Sequence, residues 1–344
     1  MLAVMKGAPA PGAKIAEVEI PSIGPGDVLV KVRATSICGT DLHIYNWDAW
    51  AQSVIKTPLV FGHEFHGEVV EVGSDVKALK AGDLVSVESH VPCGRCYQCT
   101  HDMMHICDEL KIIGVHRAGC FAQYVAVPAI CAWKNSPGTP PEVASLMEPM
   151  GNSVHVVSEA NVAGKTVAVF GCGPAGLFAT GVARAKGAAA IHAIDINRNR
   201  LELAKAMGAD ELLNGADPDL VSKLTKLSGG YGLDVALEMS GSQKAIVNAL
   251  RSLKKGGTMV AFGLPSRPGE LDLANDVIMT GRRILGIVGR RMFADWVEMQ
   301  KLLDGGKFDP RPAITHTFKL AEFDRAVATI GQENVKCGKV VLLP

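Results

Sequence analysis

Apolar and polar residues alternate near period two in three stretches of the first 150 residues. These are Asp27-Val28-Leu29-Val30-Lys31-Val32, Gly67-Glu68-Val69-Val70-Glu71-Val72 and Asp83-Leu84-Val85-Ser86-Val87. Alternation of that period predicts strands with one buried face, and bounding turns such as Ile23-Gly24-Pro25-Gly26 support it. From about residue 160 the pattern changes. A short β-prone run at 165–170 leads into a glycine turn and an alanine-rich helical stretch to Lys186. A second run, 190–194, ends at Asp195, and 200–207 reads as a helix closed by Gly208. Runs at 233–238 and 257–262 are further strands, with a helical pattern at 242–253 between them. Strands alternating with helices predict an α/β fold with a doubly wound parallel sheet. The tail carries a helical pattern at 293–303 and closing strands, expected to pack back on the first domain. The expected division is therefore 1–150 with 290–344 as a β-rich domain, and 151–289 as the doubly wound domain.

One segment imitates a membrane span, because 166–183 contains no charge. Its glycines and Pro174 place turn chemistry in its middle, so it reads as strand, turn and buried helix. The first residues have too short an apolar stretch for a signal peptide, which predicts a cytoplasmic protein. Lys+Arg and Asp+Glu are both 35, so the basic footprint of a nucleic-acid binder is absent. The nine cysteines of such a chain point to metal or catalysis before disulfides.

Gly171-Cys172-Gly173-Pro174-Ala175-Gly176 fits G-x-G-x-x-G. The string alone is weak, and a structural glycine turn would explain it. Its setting decides: it follows a predicted strand, opens a predicted helix and precedes a second strand that ends in an acid, Asp195, about 20 residues on. The glycines allow the backbone to approach a pyrophosphate, and the helix N-terminus favours its charge. The Asp195 carboxylate can accept hydrogen bonds from a ribose diol and would repel a 2′-phosphate, which predicts NAD over NADP. Arg198 and Arg200 pull the other way, or flank the adenosine, or are solvated.

Cys93, Cys96, Cys99 and Cys107 are spaced C-x2-C-x2-C-x7-C. Four thiolates close a tetrahedral shell around Zn²⁺ and leave no open position, so the site is structural. The iron–sulfur pattern has x3 before its last Cys, with Pro following; here the gap is x7 and Asp108 follows. His90, His101 and His105 are unnecessary for this shell.

Cys38, His63, Glu64 and Glu148 are candidates for a second, open metal site. Each also has an ordinary reading, as a buried thiol, a hydrogen-bonded imidazole or solvated acids, and spacing does not choose between them.

Ile37-Cys38-Gly39-Thr40-Asp41-Leu42-His43, Gly62-His63-Glu64, the cysteine quartet and the glycine turn occur in that order. Together they resemble the zinc-containing medium-chain alcohol dehydrogenase family, over essentially the whole chain. The longer string from Thr35 to Trp50 is similar to the family's threonine-oxidising branch. So are Glu88-Ser89-His90, Glu148-Pro149-Met150-Gly151-Asn152, Gly286-Ile287-Val288-Gly289-Arg290 and Ile314-Thr315-His316.

The resemblance implies a GroES-like catalytic domain, a Rossmann domain and a homotetramer. It implies NAD-dependent oxidation of L-threonine at C3, with a polyol or butanediol dehydrogenase on the same scaffold as the alternative; nothing in the sequence itself supports a nucleic-acid or membrane partner. It places one catalytic zinc per chain on Cys38, His63 and Glu64, with a carboxylate at Glu148 where alcohol-specific relatives carry Cys. Which of the two acids holds the metal stays open. Relay positions fall on Thr40 and His43. Cofactor contacts fall on Gly171, Gly173, Pro174, Ala175, Gly176, Asp195, Arg200, Phe262, Gly263, Leu264, Gly286 and Ile287. Arg290 is a candidate for the substrate carboxylate, Glu148 for the ammonium, and His90 for shaping the pocket. Two positions depart from relatives: His66, usually apolar or hydroxyl-bearing, and Cys172 in the glycine turn. Cys120, Cys131 and Cys337 read as structural.

Overall fold

The computed structural model describes residues 1–332 and 335–344 of the chain. These residues divide into two compact units. The first comprises Met1–Pro149, Ile314–Gln332 and Lys339–Pro344; the second comprises Met150–Ala313 with 335–338.

The first unit is built on a seven-stranded sheet whose centre is the strand Asp27–Ser36. Its valines alternate as the sequence predicts, and their burial is nearly complete from Val28 to Val32. The strand Glu64–Val72 pairs antiparallel on one side, in a register that sets Ser36 opposite Glu64. The strand Lys339–Leu343 pairs on the other side, with Val341 opposite Ser36. Two short helices follow the central strand, α1 (Gly39–Asn46) and α2 (Ala49–Val54). Aromatic residues are scarce but concentrated: the rings of Phe61, Phe121 and Phe323 pack with centroids 5.2–5.6 Å apart, a favourable tilted or edge-on arrangement.

Helix α3 (Met147–Ala160) contains the boundary between the units. The second unit has a six-stranded, wholly parallel sheet. Across it run Glu211–Asn214, Ala190–Asp195, Thr166–Phe170, Leu233–Glu238, Leu253–Ala261 and Arg283–Gly286. This is the doubly wound order, in which the direction of strand addition reverses between the first and fourth strands. The strands expected from the sequence are all present. The charge-free segment is the strand Thr166–Phe170, the glycine turn and helix α4 (Pro174–Ala185). Ala168, Phe170, Ile194, Leu224, Leu250 and Met259 belong to one core cluster, and each large side chain so buried contributes about 1.5–3 kcal/mol.

The return to the first unit comes at Ile314, not near residue 290. Helix Ala294–Asp304 belongs to the second unit. Glu298 on that helix pairs with Lys186 at 2.8 Å, and Phe308 lies where a side chain at Gly181 of α4 would clash. Neither contact is visible in a periodicity pattern.

Candidate active site

In the first unit, the register of the central strand gathers three side chains. Cys38 lies just past its end and caps α1, with its backbone N–H donating to Asp41 Oδ2 at 2.8 Å. Glu64 opens the neighbouring strand, and His63 precedes it. Ligand atoms of Cys38, His63 and Glu64 all lie within 4.8 Å of one another. Behind them Asp41 Oδ1 and His63 Nδ1, 3.6 Å apart and buried, make no hydrogen bond. Burial pushes the His63 imidazole down. The Asp41 carboxylate and the Cys38 thiol more than offset this and hold it well above the usual range. The pocket thus concentrates negative charge around a ring whose Nε2 is left for a ligand, with a carboxylate facing Nδ1. That donor set fits a zinc ion with an outer-sphere carboxylate.

The partner of Glu64 lies far away in the chain and no local motif marks it. Lys339, from the strand on the other side of the central strand, forms an ion pair with the Glu64 carboxylate and donates to Ile37 O at 3.0 Å. Ser36 Oγ also donates to Glu64. Glu148, on α3, lies outside the three-residue group, and its Oε1 accepts from Ser89 Oγ at 2.6 Å. His90 is held by its backbone, which donates to buried Glu88 Oε1 at 2.9 Å. Thr40 and His43 sit one turn apart on α1, a spacing that puts both on one face. Thr40 Oγ1 accepts from Cys38 Sγ at 3.9 Å, and His43 is exposed.

The four expected structural thiols also converge, within 4.8 Å of one another. Backbone N–H groups point at them: Cys93 N–H to Cys107 Sγ at 3.3 Å and Cys96 N–H to Cys93 Sγ at 3.4 Å. Backbone donation, that of Cys99 foremost, lowers Cys96 to about 6, while burial pushes Cys99 up to about 12. Cys96 caps the short helix Tyr97–Thr100, Cys99 lies within it, and Cys107 follows the 3₁₀ turn Met104–Ile106. Four sulfurs with amide donors fit a closed zinc shell. No disulfide forms among the described residues.

In the second unit the three glycines of the turn have three different reasons. Gly171 has φ +96°, where a side chain would also strike Ser240. A side chain at Gly176 would lie 1.9 Å from Gly171 O, so the strand and helix could not pack. At Gly173 a Cβ would meet nothing, which leaves the backbone at the start of α4 open to a ligand. Pro174 stands at the helix start, where its missing N–H costs nothing. A cavity of about 380 Å³ lies beside the turn, lined by Gly171, Gly173, Asp195, Arg200, Ser240 and Lys244 among others. Asp195 is fixed at its rim: Oδ2 accepts Cys172 N–H at 2.7 Å and Oδ1 accepts Asn197 N–H at 2.8 Å. A carboxylate offers about four lone-pair sites, so two remain for a diol. Lys244, a lining cation absent from the sequence reading, donates to Ala216 O at 3.2 Å.

Phe262, Gly263 and Leu264 follow one parallel strand, and Gly286 and Ile287 close the next. All therefore lie at the carboxyl end of the sheet, where dinucleotides bind. Phe262 and Gly263 both donate to Glu238 O, and Leu264 is exposed. Arg290 is buried, donating to Asn152 Oδ1 at 2.9 Å. Its stem lies over Gly151, where a Cβ would come within 2.7 Å.

Residues 24–137 match the alcohol dehydrogenase GroES-like domain, and 174–305 match the zinc-binding dehydrogenase domain. An L-threonine 3-dehydrogenase of Bacillus subtilis is 46% identical over 344 residues, covering 100% of this chain and 99% of its own. This chain belongs to the zinc-containing medium-chain alcohol dehydrogenase family. Solved structures of the dehydrogenase fold agree. An Escherichia coli protein described as a short chain alcohol dehydrogenase, complexed with NADH, superposes with TM-score 0.92 at 28% identity, covering 100% of this chain and 99% of its own. The 2R,3R-butanediol dehydrogenase of Bacillus subtilis superposes with TM-score 0.88 at 27% identity, covering 100% and 99%.

Proposed function

We propose that this dehydrogenase oxidises L-threonine at C3 to L-2-amino-3-oxobutanoate, reducing NAD⁺ to NADH and releasing a proton. The observation that carries this reading is the 46% identity, without a gap in coverage, to an L-threonine 3-dehydrogenase. The butanediol enzyme shares the fold at only 27%.

Cys38, His63 and Glu64 would hold a catalytic zinc, and Cys93, Cys96, Cys99 and Cys107 a structural one. When bound, the catalytic ion supplies Lewis acidity that makes a substrate hydroxyl easier to ionise. The glycine turn and Asp195 would hold NAD⁺, which would supply the hydride-accepting chemistry. The protein's own work is proton removal and orientation. The Thr40 hydroxyl receives the substrate's proton and passes its own to His43, whose exposure allows release to water. Glu148, oriented by Ser89, reads the ammonium. Arg290, oriented by Asn152, reads the carboxylate, and His90 shapes the pocket. Asp195, anchored by two amides, favours NAD over NADP.

We read the enzyme as a cytoplasmic homotetramer. No helix among the described residues is long and apolar enough to cross a membrane. The outermost strand of the second unit's sheet, Arg283–Gly286, has exposed Ile278, Met279, Ile284 and Val288 on and around it. An apolar sheet edge of this kind favours pairing with a second copy.

The test is NADH formation by the purified, zinc-replete protein with L-threonine, butanediol, sorbitol and ethanol, with chelator and NADP⁺ controls. Chelator-sensitive activity selective for L-threonine and NAD⁺ is expected. Activity on diols alone would overturn the amino-acid reading.

A further inference from the structure

We propose that Asp48 is a positioning residue that fixes the ring of His43 for proton transfer; the inference rests on the relay role just given to His43. Helix α1 stops at Trp47, which adopts a left-handed φ of 56°, and the chain turns at once into α2. Asp48 stands at that corner and serves both helices. Its Oδ1 accepts Ala51 N–H at 3.0 Å and caps α2. Its Oδ2 bonds His43 Nδ1, one turn back on α1. The His43 ring also meets Trp50 edge-on, with centroids 6.0 Å apart.

A cap needs one oxygen, so the second contact has its own consequence. An ionised carboxylate only accepts hydrogen bonds. The Ala51 amide first, and His43 after it, hold Asp48 below the usual carboxylate range, so it is a carboxylate at neutral pH. His43 Nδ1 must then carry the proton, which leaves the Nε2 lone pair to receive one. On accepting it, the imidazolium keeps its bond to Asp48 while Nε2 returns the proton to water. The His43 side chain is 58% exposed, enough for that exchange. Among the described residues Asp48 is the only ionisable group in ion-pair contact with His43. Lys6, a cation that packs on the Trp47 ring of this corner, is occupied with Gly12 O and Tyr45 O. An ion pair this exposed adds little stability; its effect is orientational.

The discriminating variant is Asp48→Asn. Its amide oxygen still caps Ala51, but its NH₂ faces Nδ1 and drives the ring proton to Nε2. With zinc-replete enzyme and L-threonine, kcat is expected to fall about tenfold or more, with KM and the urea midpoint little changed. Asp48→Ser, which keeps a cap but has no carboxylate, should fall similarly. In a His43→Gln background Asp48→Asn should cost nothing further, because the two act as one unit. A second readout needs no substrate: carbethoxylation of His43, mapped by peptide mass, should slow by roughly fivefold in Asp48→Asn as Nε2 loses its lone pair. Wild-type kcat in Asp48→Asn, an equal loss in the His43→Gln background, or unchanged carbethoxylation would each overturn the proposal. A wild-type enzyme inactive on L-threonine would instead overturn the substrate reading, and the carbethoxylation arm would still decide the role of Asp48.

Discussion

Lys339 and Glu64 form an ion pair across the central strand of the first unit, with their side chains 2% and 1% exposed. Strand order explains it: the two residues come from the strands flanking Asp27–Ser36, Glu64 opposite its last residue and Lys339 two residues from Val341, which also faces Ser36. Desolvating two charges is expensive, and breaking such a pair costs more than never building it. The pair also holds one acid of the candidate metal group in place.

Lys339→Met should therefore destabilise the protein by about 3–5 kcal/mol, because Glu64 is left buried without its counter-charge. Adding Glu64→Gln should recover part of that loss. Urea denaturation of the two variants checks the difference. A single variant as stable as wild type would show that Ser36 alone satisfies Glu64.

Cys99→Ser should remove one zinc per chain and leave the other. Bound zinc contributes directly to folding where its ligands are brought together only in the native state. The expected outcome is a metal content falling from two to one per chain by elemental analysis, with a lower unfolding midpoint. Two ions retained in the variant would mean that the quartet does not hold metal.

Much of this was legible in the residues, and the limits have physical causes. The strands at 165–170 and 190–194 were readable because a buried parallel strand is a short apolar run between turn signals. The cysteine quartet was readable because ligand spacing along a loop constrains the metal. Helices α1 and α2 were not. They are short, and α1 ends on Trp47 in a left-handed conformation that Gly or Asn normally marks. Helix α3 is hard to see in the residues because Pro149 and Gly151 interrupt its start, although proline is tolerated in a first turn. Lys339–Glu64 and the Asp41–His63 contact depend on strand register, which no local pattern encodes.

Asp195→Ser should shift cofactor preference. The carboxylate is held by Cys172 N–H and Asn197 N–H at the rim of a cavity that also presents Arg200 and Lys244. Removing its charge leaves a cation-lined rim able to take a 2′-phosphate. The ratio of kcat/KM for NADP⁺ to that for NAD⁺ should rise on the order of 10²-fold. Initial rates with both cofactors check it. An unchanged ratio would place discrimination elsewhere.

His192 should set part of the acid limb of stability. It lies on the strand Ala190–Asp195, is 3% exposed, and neither ring nitrogen has a hydrogen-bond partner. Burial lowers its pKa below 6.5, and Glu211 and Asp210 offset this only in part. As pH falls through 6.5, the unfolded chain binds a proton that the folded chain refuses, so the native state loses stability until the lower folded pKa is passed. Above 6.5 both states hold a neutral ring and the term vanishes. His192→Leu, close in volume, removes the titration and both unsatisfied nitrogens. It should stabilise the protein by about 1 kcal/mol at pH 7 and by more at pH 5. Urea midpoints of wild type and variant from pH 5 to pH 8 measure the difference. A gap that does not widen as the pH falls would show that His192 is satisfied by water in solution.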